Sequence, residues 1–354
     1  MNPSSGPRAS APSAERCTVS VGSQEPQWGD FLPSCPRSSI FHDPKWGELL
    51  GGPRGNRAWY LTARREGKIC GILTLVEQNS LIFGRRMTSL PYMDASGILA
   101  IDQPAADDLL ASAKALLAQR RLKWLELRHR HNHFASLPAR NDKVTLRLPL
   151  DEPDAMWKQI GPKVRNRIRK AQKARLQVLT GDCELLGGFH SVYARTMRDL
   201  GSPPHGRGFF RSLLETFGEA VNVHVVRDGI PLAVAITMRD GQAVCVPWAA
   251  SDHRANESCA NMLLYWHLLE HAAGAGAKVF DFGRSTAGSG TYIFKKQWGA
   301  QEHALHWHYL LNDGDSPPGP AGEGGAHRAI RACWRRLPVG ISIMIGSRII
   351  RRLA

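Results

Sequence analysis

Residues 222–252 read NVHVVRDGIPLAVAITMRDGQAVCVPWAASD. Three runs rich in Val, Ile and Ala are cut at Asp228-Gly229 and Asp240-Gly241, dipeptides that close tight turns between antiparallel strands. From Ser258 to Ala273, Met262, Leu263, Trp266 and Leu269 recur at helical spacing, and KVFDFGRS (278–285) has the short apolar character of a buried strand. The order is meander, helix, strand.

The same order recurs upstream with almost no shared letters. WYLTARREGKICGILTLVEQ (59–78) gives two strands about a turn at Glu66-Gly67, and SLIFGRRMTSLPYMDASG (80–97) gives a third that enters a loop. Leu109, Leu110, Ala113, Leu116 and Leu117 mark a helix within 104–121, and LKWLELRH (122–129) closes the unit as a strand. One α/β unit with a mixed sheet therefore occurs twice. The predicted boundaries are a Ser-, Pro- and Gly-rich extension without fixed structure at 1–38, a first lobe at 39–150, a basic linker helix at 151–178, a second lobe at 179–311, and a linker with a basic amphipathic tail at 312–354. The first lobe opens on FHDPKWGELL (41–50), where Asp43 and Pro44 signal a helix start. The strand VTLRLPL (144–150) precedes the linker helix, which runs from about Asp154 to Arg175 with Trp157, Ile160, Val164, Ile168 and Ala171 on its apolar side.

The chain of 354 residues carries 46 basic and 31 acidic side chains, a formal charge of +15. Lys163, Arg165, Arg167, Arg169, Lys170, Lys173 and Arg175 form one acid-free cluster, and Arg328, Arg331, Arg335, Arg336, Arg348, Arg351 and Arg352 form another. Without these fourteen, 32 basic residues face 31 acidic ones, so the excess charge is two local patches of the kind that meets a polyanion or an anionic membrane. The seven cysteines are scattered without C-x-x-C spacing, which argues against a disulfide framework or zinc ribbon and for a reducing compartment. Neither a secretory signal nor a bilayer-spanning apolar run is evident, so the expected place is the cytoplasm or the inner face of the membrane. In the tail, Trp334, Ile341, Ile343, Ile345, Ile349 and Ile350 are candidates to lie at an anionic inner-membrane surface; packing on the second lobe is the alternative.

FDFGRSTAGSGTYIFKKQWGA (280–300) leaves a strand for a Gly/Ser loop, placing Asp281, Arg284 and Ser285 at the strand's end and Tyr292, Phe294 and Lys295 just beyond. Upstream, SDHRANESCAN (251–261) opens the helix of the second unit with no glycine, although Asn256 or Ser258 is placed to cap that helix and Arg254 to meet a phosphate. His129, His131 and His133 have no Asp, Glu or Cys ligand beside them, and neither there nor at His303, His306 and His308 is a metal site assigned.

A three-strand meander, a helix and a further strand is the order seen in the core of the GNAT acetyltransferase fold, and a doubled GNAT-like unit is the architecture of the FemAB family. The stretches KVRNRIRKAQKARLQV (163–178), LPYMDASGIL (90–99) and the long second-lobe run from VPWAASD (246–252) through YIFKKQWGA (292–300) resemble FemAB-like proteins, particularly those of exosortase/PEP-CTERM exopolysaccharide gene clusters. That resemblance implies two tandem GNAT-like lobes and transfer of an aminoacyl or acyl group to an amine of a cell-envelope or exopolysaccharide precursor. It puts Lys295, in the F-K-x-x-aromatic-G motif of Phe294, Lys295, Trp298 and Gly299, at the acyl-transfer site, where a cation offsets the developing oxyanion. It places Tyr92 and Asp94 on the acceptor side.

Trp248, Arg284, Ser285 and Tyr292 are further substrate-binding candidates, and Lys163, Arg165, Arg167 and Arg169 are candidates for holding phosphates. Asp281 and Asp252 are possible proton acceptors for the attacking amine. The glycine-free 251–261 segment departs from the Gly-rich loop with which GNAT enzymes cradle the coenzyme A pyrophosphate, which favours a donor other than acetyl-CoA. The resemblance to the FemAB family implies aminoacyl-tRNA as that co-substrate, with acyl-CoA as the alternative and no permanently bound cofactor. Two other readings stay open: an N-acyltransferase using a thioester in exopolysaccharide synthesis, and a non-catalytic RNA- or membrane-binding protein.

Overall fold

The computed structural model describes residues 16–25, 27–51, 56–80, 84–312, 316–317 and 325–350. In chain order the first half contains β1 (Thr18–Gly22), α1 (Trp28–Ser34), α2 (Lys45–Leu50), β2 (Arg57–Arg65), β3 (Lys68–Ser80), β4 (Gly84–Thr88), β5 (Leu99–Ala100), α3 (Gln103–Gln119), β6 (Trp124–His129), β7 (Ala139–Arg140) and β8 (Lys143–Pro149). The second half continues with α4 (Pro153–Gln159), α5 (Pro162–Lys173), β9 (Gln177–Gly181), α6 (Leu186–Leu200), α7 (Arg207–Phe217), β10 (Val221–Asp228), β11 (Ile230–Asp240), β12 (Ala243–Ser251), α8 (Ala255–Ser258), α9 (Ala260–Gly274), β13 (Val279–Thr286), α10 (Gly290–Lys296), β14 (Gln301–Ala304), β15 (His306–Leu311), α11 (Gly325–Arg335) and α12 (Val339–Ile349).

Both predicted meanders form, with turns where the sequence places them: β2–β3–β4 in the first lobe and β10–β11–β12 in the second, each followed by a helix and a strand. The sheets run β1-β2-β3-β4-β6-β15-β7, with β5 on β3, and β14-β8-β13-β12-β11-β10-β9. Each contains one parallel pair, β4 with β6 and β12 with β13, produced by the helical crossover between them. The β12–β13 pairing ends at Cys245 and Asp281, while both strands continue beside other partners. That interruption is where the candidate site lies.

The two lobes trade strands, which the linear boundaries do not anticipate. β8, assigned to the first lobe, pairs with β13 and β14 in the second sheet, and β15, assigned to the second, pairs with β6 and β7 in the first. A strand buried on both faces is apolar whichever sheet receives it, so local pattern carries no information about its partner. The hydrophobic core also crosses the junction: Phe41, Trp46, Leu90 and Met93 pack with Phe189, Phe210 and Trp248.

The 151–178 segment is not one linker helix. Pro162, which has no N–H to give, follows Gly161, and the chain breaks there into α4 and α5. Val164, Ile168 and Ala171 of α5 are buried with Leu264 and Leu268 of α9, so the segment is part of the second lobe's core. Within the predicted unstructured extension, residues 1–15 and 26 lie outside the described residues. Thr18–Gly22 instead adds a strand to β2, and Trp28 is fully buried, its indole N–H donating to Thr62 Oγ1 at 2.9 Å. A buried indole of this size stabilises by roughly 2–3 kcal/mol, enough to order a segment whose average composition is polar. The tail from 325 to 350 forms a helical hairpin of α11 and α12 against α6, which realises the packing alternative.

Candidate functional site

Lys295 stands in the last turn of α10, whose N-cap Ser289 accepts a hydrogen bond from Tyr292 N. Its side chain runs inward, the residue being only 7% exposed, and Nζ donates to the carbonyls of Gly283 and Arg284, both at 2.8 Å. Those carbonyls are available because β13 is irregular between Asp281 and Arg284, where Gly283 has φ +74°, a backbone region open to glycine at little cost. An ammonium has three N–H donors, so one is left for a ligand. Burial pushes the Lys295 pKa down to about 8, against the opposing pull of the Asp94 and Asp281 carboxylates.

The ammonium borders a cavity of about 240 Å³ lined by both lobes, with Phe41, Tyr92 and Asp94 from the first and Cys245, Arg284 and Thr291 from the second. Asp94 receives the backbone N–H of Arg284 at 3.2 Å and pairs with its guanidinium at the same distance. Arg284 also lies over the Trp307 ring, 4.9 Å from its centroid, and the Trp307 indole donates to the Asp94 carbonyl. Tyr92 has φ +75°, an unusual value for a residue with a side chain, and its hydroxyl donates to the Ile350 carbonyl at 2.7 Å. Lys295, Tyr92, Asp94 and Arg284 are therefore brought together.

Asp281 is adjacent but occupied. Its Oδ1 accepts from Thr145 Oγ1 and from Gly283 N at 2.9 Å, and its Oδ2 sits 3.7 Å from both Arg130 and Arg147. This carboxylate organises the β13 irregularity and compensates the charge of two half-buried guanidinium groups, which leaves it poorly placed to take a substrate proton. Asp252 lies outside the cavity, clamped by Arg254 and Arg195, and the Arg254 hydrogen bonds hold its pKa well below the usual carboxylate range.

Several other candidates serve the fold. The Trp248 ring stands 5.4 Å from Phe210 and 5.7 Å from Phe209, on the face of β12 turned away from the cavity. Phe294 packs on Tyr265 at 4.9 Å and props α10 against the core. Tyr292 donates to Glu302 at 2.6 Å, and Ser285 is buried with no hydrogen-bond partner for its hydroxyl among the described residues. Arg165 spends its guanidinium on the carbonyls of Trp157, Lys158 and Ile160, whereas Lys163, Arg167 and Arg169 stay exposed, with Arg169 over the Trp157 ring.

The start of α9 also differs from expectation. Neither Asn256 nor Ser258 caps it: the preceding residue is Cys259 at φ +57°, and the Ser258 hydroxyl is buried without a partner among the described residues. Arg254 is held by both oxygens of Asp252 rather than offered to a phosphate.

A second cavity, of about 640 Å³, adjoins the first through Arg130 and Thr145. Arg37, Arg128, Arg130 and Arg147 are among its lining residues, Arg128 being paired with Glu126, and His42, His129, His131 and His133 line it as well. Sequence reasoning passed over these arginines, because an Arg beside a strand end reads as solvent-facing. The available signal was Arg147 itself, a lone cation inside the apolar run VTLRLPL.

A family model described as an acetyltransferase (GNAT) domain matches residues 162–296. Among solved structures, FemX superposes with a TM-score of 0.64 at 15% identity over 82% of this chain and 97% of that one. A tandem GNAT protein from the clavulanic acid biosynthesis pathway gives 0.52 at 12% identity, over 85% of this chain and all of that one. The fold is that of the tandem GNAT proteins. L-PGS from Bacillus licheniformis superposes at a TM-score of 0.54 and 12% identity, over 88% of this chain and 98% of that one. No curated protein matches the chain. Among the described residues no helix is long and apolar enough to cross a membrane.

Proposed function

We propose that this protein is an aminoacyltransferase of FemAB type, moving an aminoacyl group from tRNA to an amine of a cell-envelope or exopolysaccharide precursor. The observation that carries the reading is the placement of Lys295, a buried ammonium anchored by two carbonyls in a cleft between two GNAT-like lobes, with one donor left over. When the acceptor amine attacks the ester carbonyl, negative charge develops on the carbonyl oxygen. A preorganised cation at that point lowers the barrier because it needs no reorientation. Collapse of the tetrahedral intermediate re-forms the carbonyl and breaks the ester C–O bond. The proton lost by the amine passes to the departing ribose hydroxyl, so the step balances without a protein base, in keeping with the engaged state of Asp281.

The α9 N-terminus supports a donor other than coenzyme A, since it has no glycine loop and its nearest arginine is neutralised by Asp252. The exposed cations of α5 suit an RNA backbone. The cavity beside Arg37, Arg130 and Arg147 suits an anionic acceptor.

The test is a transfer assay with a pool of charged, labelled tRNAs and, in parallel, labelled acetyl-CoA, comparing wild type with Lys295→Ala. Retention of one amino acid and its Lys295-dependent movement to an amine acceptor supports the reading. Transfer from the thioester alone replaces it with an acyl-CoA-dependent enzyme.

A further inference from the structure

The α11–α12 hairpin is apolar on the wrong side for a helix pair that only packs on its own protein. Facing α6, α12 buries Ser342 and Gly346, while Ile341, Met344 and Ile345 are 41%, 54% and 36% exposed. The small inward residues are dictated by close approach: a Cβ on Gly346 would lie 2.5 Å from Pro204 Cδ. On α11, Ile330 is 49% exposed, and Leu200, whose carbonyl accepts from Arg331, is 52% exposed beside it. Of the nine exposed large apolar side chains among the described residues, four sit on this hairpin and a fifth adjoins it, so they form a patch rather than the usual scatter.

Charge says what covers the patch. Residues 325–350 contain five arginines and no acid, and Arg328, Arg335, Arg336 and Arg348 are exposed. A second copy of the hairpin would bring like charges together, and a nucleic acid would satisfy the arginines while leaving the isoleucines and Met344 unaccounted for. An anionic lipid surface takes both, phosphates at the guanidinium groups and acyl chains at the apolar side chains.

The hairpin also reaches the cleft. Its last described residue, Ile350, accepts the Tyr92 hydroxyl; Tyr92 lines the Lys295 cavity; and the Tyr92 ring sits 4.4 Å from His205, in the Pro204–Gly206 loop that cradles α12.

We infer that the α11–α12 hairpin docks on an anionic lipid bilayer and holds the mouth of the Lys295 cleft at that surface, so that the acceptor is presented from the membrane. The last clause alone rests on the proposed function; docking and orientation stand without it.

The test uses the full chain and vesicles of phosphatidylcholine alone or mixed equally with phosphatidylglycerol. Co-sedimentation is expected with the mixed vesicles only. Arg335→Gln with Arg336→Gln should weaken it about 30-fold, at roughly fivefold per arginine, and Ile341→Asp with Met344→Asp at least tenfold, both with unchanged thermal melts because the side chains are exposed. Hydrogen exchange of the vesicle-bound protein should slow over 325–350, 90–94 and 203–206.

Equal binding to neutral vesicles, indifference to both variants, a dimer in solution that the aspartates dissociate, or RNA binding lost in the arginine variant without any vesicle binding each overturns the docking. Protection confined to 325–350 overturns the orientation. None of these readouts requires transfer, so they remain decisive even if Lys295 proves not to transfer an acyl group.

Discussion

Asp94 of the first lobe and Arg284 of the second meet twice at 3.2 Å, once through the Arg284 backbone N–H and once through its guanidinium. The pair fixes the loop that holds Tyr92 against the strand irregularity that holds Lys295, so one carboxylate sets the width of the cleft. Its charge also counters part of the burial penalty on the Lys295 ammonium. Asp94→Asn keeps the shape and removes the charge. It is expected to lower kcat/KM roughly 10-fold and to move the alkaline limb of the pH profile to lower pH, because the Lys295 pKa falls when a nearby anion is lost. An unchanged limb would show that Asp94 acts through geometry alone.

Lys295 itself links activity and stability with opposite signs. Burial lowers its folded pKa from 10.5 to about 8, so the cation needed for transfer is full below pH 8 and lost as pH rises through it. The unfolded chain therefore binds more protons between about 8 and 10.5. Stability rises with pH across that window, and the penalty for the buried charge is complete below it, at about 3 kcal/mol from 1.36 kcal/mol per unit. Lys295→Met should cost about 10²–10³ in kcat. The same variant should gain ~1–2 kcal/mol in a urea melt at pH 7, the gain being reduced by the two carbonyls left without their donor.

How far the sequence foretells this arrangement depends on whether a feature is local. The two meanders are legible because Glu66-Gly67 in the first and Asp228-Gly229 and Asp240-Gly241 in the second dictate their own turns, and Lys295 stands out because its motif is contiguous. The exchange of β8 and β15 is not legible: VTLRLPL states only that it is a strand, nothing in HWHYLL names a sheet, and the choice is made by the closing of the whole chain. Trp248 misleads for a related reason. A strand residue's face is set by register, and one step separates the cavity-lining Pro247 from the core-packed Trp248. Arg130 and Arg147 become recognisable only when the junction that encloses them exists.

The basic helix divides into structural and exposed cations that sequence treats alike. Arg165 covers three carbonyls at the end of α4, so Arg165→Ala should destabilise by about 1–2 kcal/mol in denaturant melts. Replacing Lys163, Arg167 and Lys170 by Gln should leave the melt unchanged. If these three contact an RNA backbone, the slope of log K against log salt becomes less negative by roughly 2. A triple variant with the wild-type slope would place the RNA elsewhere.

One of the exchanged strands, β15, also forms a proton-sensitive seam with β6. Ile98 N–H donates to His129 Nε2 at 3.0 Å, so the His129 proton is on Nδ1, from which it is donated to His308 Nδ1 at 3.2 Å. His308 then carries its proton on Nε2 and donates to Asn132 Oδ1 at 3.0 Å. Every nitrogen is assigned in this neutral chain, and an added proton would set two N–H groups against each other. Burial holds His129 well below its usual 6.5 and His308 down to about 4. The unfolded chain thus takes up these protons first, so stability is full above pH 6.5 and falls as pH drops from there through about 4. Because β15 comes from the C-terminal half and β6 from the first lobe, acid should loosen the junction before it unfolds either core. Urea midpoints measured at pH 7 and pH 5 should differ by more for the wild type than for His308→Gln, and equal differences would place the acid sensitivity in the other buried histidines.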